Sequence, residues 1–233
     1  MPNKYIWYLP FDASDLRKAA KEYREHSSKK ADHSGSIIIA NGKAKKRLKG
    51  VDDPWTAIYV LIHGVTLAPL MSAGKKKMDV ERLAELLADE DLPKPHIDLR
   101  LFACYSGLAT RKDQPSPSKK ELSVIKKEVK AALPIERDRV LLKHKFKLPE
   151  TYTEAETQNI PLAAHLCSYM KHTHGYTRLV VTGYKGAITL GMGRFVSKDG
   201  YSHEFHKRVY GERASEAKIQ FTGDSDTTDQ RWG

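Results

Sequence analysis

Two apolar segments separated by an amphipathic helical pattern are the feature that most constrains how this chain folds. Residues 56–62 and 97–102 are rich in apolar, β-branched and aromatic side chains, which is typical of strands inside a parallel sheet. Residues 79–88, between them, repeat apolar side chains at helical spacing. A right-handed crossover makes two such strands parallel and puts their carboxyl ends at one edge of a sheet. The sequence therefore predicts an α/β protein with a mostly parallel central sheet.

A histidine and a cysteine stand at that predicted edge. The first strand leads into His63–Gly64 and the second into Ala103–Cys104. Ligands of open α/β sheets bind at the carboxyl ends of the strands. A thiol needs a nearby base or positive charge to act as a nucleophile at neutral pH, and a histidine supplies either. Each residue alone would more often be structural, as a hydrogen-bonded histidine or a core cysteine, but their occurrence together favours a catalytic pair.

These two motifs, Leu-Ile-His-Gly at residues 61–64 and Leu-Phe-Ala-Cys at residues 101–104, resemble those of the caspase-like (clan CD) cysteine peptidases. In that family a strand ending in His-Gly precedes a strand ending in Ala-Cys. The resemblance covers residues 4–107 and about 160–185. Phe102 and Tyr105 replace the glutamine and arginine of the caspase pentapeptide, and residues 103–107 look closer to bacterial, toxin-type members. The resemblance implies a three-layer α/β/α sandwich and a cysteine endopeptidase.

The resemblance also implies roles for individual residues. Cys104 would attack the scissile carbonyl, His63 would act as acid and base, and the backbone N–H groups of Gly64 and Cys104 would stabilise the oxyanion. The family uses a dyad, so we predict no third member. Its substrate lies along the segment after the strand predicted for residues 177–183. The resemblance therefore implies that the substrate is bound by Gly183, Tyr184, Lys185 and Gly186.

The cysteine count and the apolar segments bear on the compartment. Only Cys104 and Cys167 occur, which suits free thiols in a reducing compartment, and Cys167 lies on an apolar helical face that we expect in the core. No secretory signal and no membrane-spanning segment is predicted. We expect the protein in the cytoplasm, or delivered into a host cell without a classical signal peptide. A bacterial effector, toxin or defence protease, with self-cleavage in an exposed loop, fits the resemblance.

The net charge of +11 favours acidic partners without identifying one. The cations cluster in residues 43–49, 75–77 and 143–147 and are most simply a solvated surface. Toxin-borne relatives are activated by inositol hexakisphosphate, so the resemblance makes such a polyanion a candidate activator, although no cofactor is expected to be required. Two other functions stay open: an inactive caspase-like scaffold and a nucleic-acid-binding protein. The second is less favoured, because nucleic-acid binding would not explain the His-Gly and Ala-Cys motifs.

We predict one domain over residues 1–233, with an insertion at 108–156 and a polar tail at 224–233. No metal site is predicted, because the histidine spacings match no closed ligand set. Residues 43–50 are expected to form a surface loop, 67–77 a mobile loop, and 139–148 an edge strand or hairpin arm, whereas beyond Gly186 turns alternate with weak strands. The other predicted elements are strands at 4–9, 36–40 and 217–221 and helices at 14–26, 118–133 and 160–172.

Overall fold

A computed structural model describes most of the chain. The described residues are 4–27, 34–64, 70–107, 110–111, 119–132, 140, 143, 157–186, 188–197, 200–209, 212–214 and 217–222. Among them, no helix has the length and apolar character needed to cross a membrane.

Helices and strands alternate through the first half of the chain, and strands dominate its end. In chain order the elements are β1 (Lys4–Leu9), α1 (Ser14–Ser27), β2 (Ser34–Ile39), β3 (Ala57–Leu61), β4 (His63–Gly64), β5 (Met71–Ala73), β6 (Lys76–Met78), α2 (Val80–Asp89), β7 (Asp98–Phe102), β8 (Thr110–Arg111), α3 (Lys119–Ala131), β9 (Thr157–Asn159), α4 (Leu162–His174), β10 (Val180–Tyr184), β11 (Ile188–Ser197), β12 (Gly200–Val209), β13 (Glu212–Arg213) and β14 (Lys218–Thr222).

Six of these strands form a mixed, mostly parallel sheet in the order β14-β10-β7-β3-β1-β2. Only β14 is antiparallel to its neighbour, β10. The predicted α/β class with a mostly parallel central sheet is therefore confirmed. In the pairing of β3 with β7, Leu61 lies opposite Phe102. Because the two strands end at the same level, the residues that follow them emerge side by side at the carboxyl edge.

The sheet has a buried core on each face, because side chains alternate along its strands. One face packs against α2 and α4, through side chains such as Leu83 and Leu166. The other face is aromatic, with Trp7, Tyr59 and Phe102 in edge-on or tilted contact, and it packs against α1. This arrangement is compatible with the expected three-layer sandwich.

Most elements lie where the sequence predicts them, within about two residues at each end. The helix predicted over 160–172 begins at Leu162, just after Pro161, and ends at Gly175, which has the left-handed backbone (φ 74°) that favours glycine. The proposed insertion is enclosed by a short antiparallel pair, in which β8 lies against β9. Whether residues 108–156 are an insertion, and whether the chain is one domain, stay predictions.

Three expectations for the loops and edges are wrong. Residues 71–73 and 76–78 are not a mobile loop but β5 and β6, which join β4 in a three-stranded sheet. After Gly186 the chain forms a long hairpin in which β11 pairs with β12 over ten residues. In the stretch predicted as an edge strand, the two described residues, Val140 and Lys143, are helical. The tail at 224–233 lies outside the described residues.

Residues 43–50 were expected to form a solvated loop, but they pack against the end of α2 and form hydrogen bonds with it. Leu48 is fully buried, and the Glu90 side chain, also fully buried, accepts hydrogen bonds from the backbone N–H groups of Lys45 and Arg47 at 3.0 and 2.9 Å. The Arg47 guanidinium adds a bond of 2.6 Å between Nη2 and Oε1. Burial raises the pKa of Glu90, but the hydrogen bonds and positive charge of Arg47 outweigh it, so the pKa is lowered.

Replacing Arg47 with methionine is expected to lower the free energy of unfolding by about 3 kcal/mol, since it leaves the Glu90 carboxylate buried without its cation. Urea denaturation at neutral pH measures the loss. Because the folded-state pKa of Glu90 is lowered, the stabilisation is present above the ordinary glutamate pKa of 4.5 and is lost as the pH falls through the lowered value.

The matched control is Lys46→Met. The Lys46 side chain is 71% exposed and its Nζ lies 3.5 Å from Asp91, so its loss should change stability by no more than about 0.5 kcal/mol. Equal losses in the two variants would contradict a specific role for the Arg47–Glu90 pair.

Candidate active site

The backbone of Gly64 lies directly against the backbone of Cys104. A Cβ atom added at Gly64 would stand 2.0 Å from the Cys104 carbonyl oxygen and 3.0 Å from its nitrogen. Since real Cβ atoms do not approach so closely, only glycine fits at this position. The structure therefore brings the predicted His-Gly and Ala-Cys motifs together, as their positions after neighbouring strands suggest.

His63 is held by a short sheet of its own. It opens β4, which is separated from β3 by Ile62, and it lies opposite Ser72 in the antiparallel pairing with β5. The backbone that carries the imidazole is therefore fixed by strand pairing. The side chain is 44% exposed and lines a cleft of about 210 Å³ together with Cys104.

Asp15, in the first turn of α1, joins the site although it is not among the predicted site residues. Its Oδ2 lies 2.7 Å from Nε2 of His63. Partial burial acts to raise the pKa of Asp15, but the hydrogen bond with His63 and bonds from the backbone outweigh it, so the pKa is lowered and the group is a carboxylate near neutral pH. A carboxylate only accepts hydrogen bonds, so Nε2 carries the proton and Nδ1 of a neutral His63 is the basic nitrogen.

Only the strand order, which the structure supplies, marks Asp15 as a site residue. Asp15 follows β1, and the order of the central sheet reverses between β1 and β3. In doubly wound sheets the crevice at this reversal is the usual place for a ligand. The polar residues just after the first strand have the composition of helix caps, which explains them without any role in a site. Their position at the same edge of the sheet as His63 is therefore not evident from the sequence.

The Cys104 sulfur is partly exposed and receives a hydrogen bond from the chain that follows β10. The backbone N–H of Ile188, at the start of β11, lies 3.3 Å from Sγ. An N–H group directed at sulfur favours the thiolate over the thiol. Ile188 also lines the cleft, so the first residue of the long hairpin is part of the site.

The loop after Cys104 is tied to β10 by hydrogen bonds centred on a buried serine. Ser106 Oγ donates to the Leu101 carbonyl at 2.9 Å and accepts from the Tyr184 N–H at 3.0 Å. Its carbonyl accepts from the N–H of Ala163, at the start of α4. Tyr105 is held with a positive φ of 60°, which is uncommon for a residue with a side chain. Cys104 is therefore followed by a constrained turn.

The segment expected to bind substrate is largely committed to the protein itself. Gly183 lies inside β10, and the Tyr184 side chain is 3% exposed and packs edge-on against Phe102, with ring centroids 4.8 Å apart. The Tyr184 side chain therefore faces the core. The Lys185 N–H donates to the Ala217 carbonyl, and the Gly186 carbonyl accepts from the Tyr105 N–H. Substrate contact by Gly183, Tyr184, Lys185 and Gly186 stays a prediction, as does the oxyanion role of Gly64 and Cys104.

The second cysteine is confirmed as a core residue. Cys167 is 1% exposed, and its thiol donates to the backbone carbonyls of Leu179 and Phe221. Burial raises its pKa to about 11, so it stays a thiol at neutral pH. The two cysteines therefore differ in exposure and in what their sulfur atoms contact.

Part of the expected basic surface is already paired. In the first cluster, Arg47 is bound to Glu90 and Lys46 lies 3.5 Å from Asp91. In the third cluster, Lys143 lies 3.2 Å from Glu128. These pairings reduce the number of cations free to bind a polyanion, whose role as an activator stays a prediction. Among the described residues, no group of three His, Cys, Asp or Glu side chains is placed to hold a metal ion.

Comparisons with known proteins give no family assignment. No family model matches the chain, no curated protein matches it, and no solved structure matches it. Its function is therefore inferred from the residues of this chain.

Replacing Gly64 with alanine is expected to lower the free energy of unfolding by about 1–3 kcal/mol, because the new methyl group overlaps the Cys104 carbonyl. Chemical denaturation measures the change. The control is Gly50→Ala, since a Cβ at Gly50 would meet nothing within 4 Å, so this variant should be neutral or slightly more stable. Equal stability of the two variants would show that the Gly64–Cys104 approach does not require glycine.

Proposed function

We propose that the protein is a cysteine endopeptidase in which Cys104 is the nucleophile and His63 the acid and base. The observation that carries this proposal is that His63 and Cys104, which follow the neighbouring strands β3 and β7, line one cleft, while Asp15 binds Nε2 of the histidine. A nucleophile, a base and a group that orients the base are the parts that covalent acyl transfer needs. The resemblance to caspase-like peptidases points to the same reaction.

In the first half of the reaction, Nδ1 of His63 takes the thiol proton and the Cys104 sulfur attacks the scissile carbonyl. A carbon–sulfur bond forms and the carbonyl oxygen becomes an oxyanion. Backbone N–H groups of Gly64 and Cys104 are the proposed donors to that oxyanion. The protonated His63 then gives its proton to the amine as the carbon–nitrogen bond breaks, which leaves a thioester on Cys104.

In the second half, water replaces the amine. His63 removes a proton from the water, whose oxygen attacks the thioester carbonyl, and the carbon–sulfur bond breaks to release the acid. Asp15 holds the imidazole with Nε2 protonated throughout, and its negative charge stabilises the imidazolium that forms in each half. The Ile188 N–H stabilises the thiolate when Cys104 is free.

We further propose that the fold is a caspase-like sandwich and that the substrate is a protein or peptide. The support for it is the order of the two motifs, their positions at the ends of β3 and β7, and the helices on both faces of the sheet. The physical arrangement that matters for the reaction is local, so the proposal does not depend on a caspase-type preference for aspartate.

Cys104→Ala and His63→Ala should each lower peptide hydrolysis by at least about a thousandfold, and the double variant should be no worse than either single variant, because members of one catalytic unit are not additive. Release of a fluorophore from a mixed peptide library measures the rate. Hydrolysis by Cys104→Ala at the wild-type rate would refute the peptidase.

The chain supplies its own control in Cys167→Ala, which removes the other thiol and should keep its activity if the variant is folded. Iodoacetamide labelling followed by intact mass should give one adduct on the folded wild type, at Cys104, and none on Cys104→Ala. A folded wild type that binds peptides but neither labels nor hydrolyses would favour the inactive scaffold.

Asp15→Asn is expected to lower kcat/KM by at least about tenfold, because the neutral amide no longer stabilises the imidazolium and permits the wrong tautomer of His63. Hydrolysis of the same peptides measures the rate.

The matched control for Asp15→Asn is Asp12→Asn. Asp12 is also an exposed aspartate at the start of α1, but its carboxylate lies 3.4 Å from Arg17 rather than beside His63. This variant should keep the wild-type rate. An unchanged rate in both variants would remove Asp15 from the mechanism while leaving the Cys104–His63 pair in place.

A further inference from the structure

We infer that Cys104 is a site of reversible oxidation, at which hydrogen peroxide converts the thiolate to a sulfenic acid that then condenses with the backbone nitrogen of Ile188. The product is a sulfenamide, a covalent sulfur–nitrogen bond between residues 104 and 188. The inference uses the surroundings of the Cys104 sulfur and does not depend on peptide cleavage. It gives the candidate site a chemical means of being blocked and restored.

The Cys104 sulfur has the surroundings that make a thiol sensitive to peroxide. The residue is partly exposed and lines a cleft of about 210 Å³, so a small oxidant has access to it. The N–H of Ile188 is directed at the sulfur and favours the thiolate, and His63 lines the same cleft as a base. Oxidation of cysteine follows thiolate character and exposure, and Cys104 combines the two.

The other cysteine of the chain has neither property. Cys167 is 1% exposed, and burial raises its pKa to about 11, so it stays a thiol at neutral pH and is shielded from an oxidant in solution. Oxidation of the folded protein should therefore be confined to Cys104.

A disulfide between the two cysteines, the common product of a sulfenic acid and a thiol, is excluded by their positions along the sheet. Cys167 contacts the carbonyl of Leu179, just before β10, whereas Cys104 follows the carboxyl end of β7. Val180 of β10 lies opposite Asp98, the first residue of β7. The two cysteines therefore lie at opposite ends of β7, which spans about 13 Å. The Cα atoms of a disulfide lie within about 7 Å of each other.

The Ile188 nitrogen is the condensing group that the structure brings to the sulfur. It lies 3.3 Å from Sγ of Cys104. The chain is held on both sides of this contact, because the Gly186 carbonyl accepts from the Tyr105 N–H at 3.0 Å and Ile188 pairs with Val209 in the hairpin. A reacting group that is held in place has the advantage of an intramolecular reaction, so condensation competes with further oxidation of the sulfenic acid.

Both steps balance with hydrogen peroxide as the oxidant. In the first, the Cys104 sulfur attacks peroxide, a sulfur–oxygen bond forms, and the oxygen–oxygen bond breaks. The departing hydroxide takes up a proton to give water, so sulfur loses two electrons and peroxide gains them. In the second, the Ile188 nitrogen bonds to sulfur, the sulfur–oxygen bond breaks, and the N–H proton, removed by His63, leaves with the hydroxyl group as water.

A thiol reverses the modification. Its thiolate attacks the Cys104 sulfur, the sulfur–nitrogen bond breaks, and the Ile188 nitrogen recovers its proton, which leaves a mixed disulfide. A second molecule of thiol then exchanges with that disulfide and frees Cys104.

Intact mass spectrometry of the reduced whole chain, treated with hydrogen peroxide, tests the inference. We expect a product that has lost two hydrogen atoms and that dithiothreitol returns to the starting mass. Cys104→Ala should not form it, whereas folded Cys167→Ala should. Trypsin cuts after Arg100, Arg111, Lys185 and Arg194, so digestion without reductant should yield residues 101–111 joined to residues 186–194.

Two matched variants test the role of the Ile188 nitrogen. Ile188→Ala keeps the backbone N–H and should still form the cross-link. Ile188→Pro removes the N–H at the first residue of a strand, where proline is tolerated. It should accumulate the sulfenic acid and give at least about tenfold more adduct with dimedone, a sulfenic acid trap, than Ile188→Ala. Circular dichroism checks that both are folded; if Ile188→Pro is not, the joined peptides of the wild type decide the question.

A wild type that yields only sulfenic or sulfinic acid, a disulfide between two chains, or a bond from Cys104 to a different nitrogen would overturn the inference. Resistance of Cys104 to peroxide would overturn it as well. None of these results bears on peptide hydrolysis, and a protein that hydrolyses no peptide would still be judged by the joined peptides.

Discussion

The close approach of two backbones, at Gly64 and Cys104, is the contact on which the candidate site depends. It exists because β3 and β7 pair in parallel with Leu61 opposite Phe102, so both chains leave the sheet at the same level. The absence of a side chain at Gly64 then lets the backbones touch. The relative position of His63 and Cys104 is thus set by strand pairing, which is stiffer than loop structure and suits the precise placement that the proposed reaction needs.

Segments that are far apart in the sequence meet near this contact. Helix α1, after β1, packs on the aromatic face of the sheet, and α2 packs on the opposite face. The two helices thus lie on opposite faces of the sheet, and the strand order reverses between β1 and β3. Asp15 approaches His63 from the first of these helices. Ile188 approaches Cys104 from the hairpin that follows β10. Four parts of the chain, far apart in sequence, therefore meet in one cleft.

The sequence predicts the parts of the fold whose patterns are local and strongly apolar. Periodicity alone predicts strands β1, β3, β7 and β10 and helices α1, α2 and α4. The position of His63 and Cys104 at one edge of the sheet follows from the parallel crossover. The hairpin of β11 and β12 could not be predicted, because glycines and polar residues interrupt its apolar pattern. Glu90 has the pattern of an exposed helix end, and only the fold shows that residues 43–50 close over it.

The same limit explains why the sequence does not reveal the positions of Asp15 and Ser106 in the site. Acidic side chains are common in the first turn of a helix, where they interact favourably with the helix dipole. The sequence around Asp15 therefore does not show whether its carboxylate stabilises the helix or holds the imidazole of His63. Ser106 follows a cysteine in a short polar turn and gives no periodic signal, although its hydroxyl joins β7 to β10. Both roles depend on tertiary neighbours that sequence spacing does not specify.

The small pairing of β8 with β9 has a consequence for how this architecture can vary. It holds the two ends of the intervening stretch, residues 112–156, close together and attached to the body of the protein. The entropic cost of closing such a loop grows only with the logarithm of its length, so a doubling adds about 0.6 kcal/mol. Segments of very different length and composition can therefore be exchanged between these two strands at little thermodynamic cost, while the sheet that carries His63 and Cys104 keeps its register.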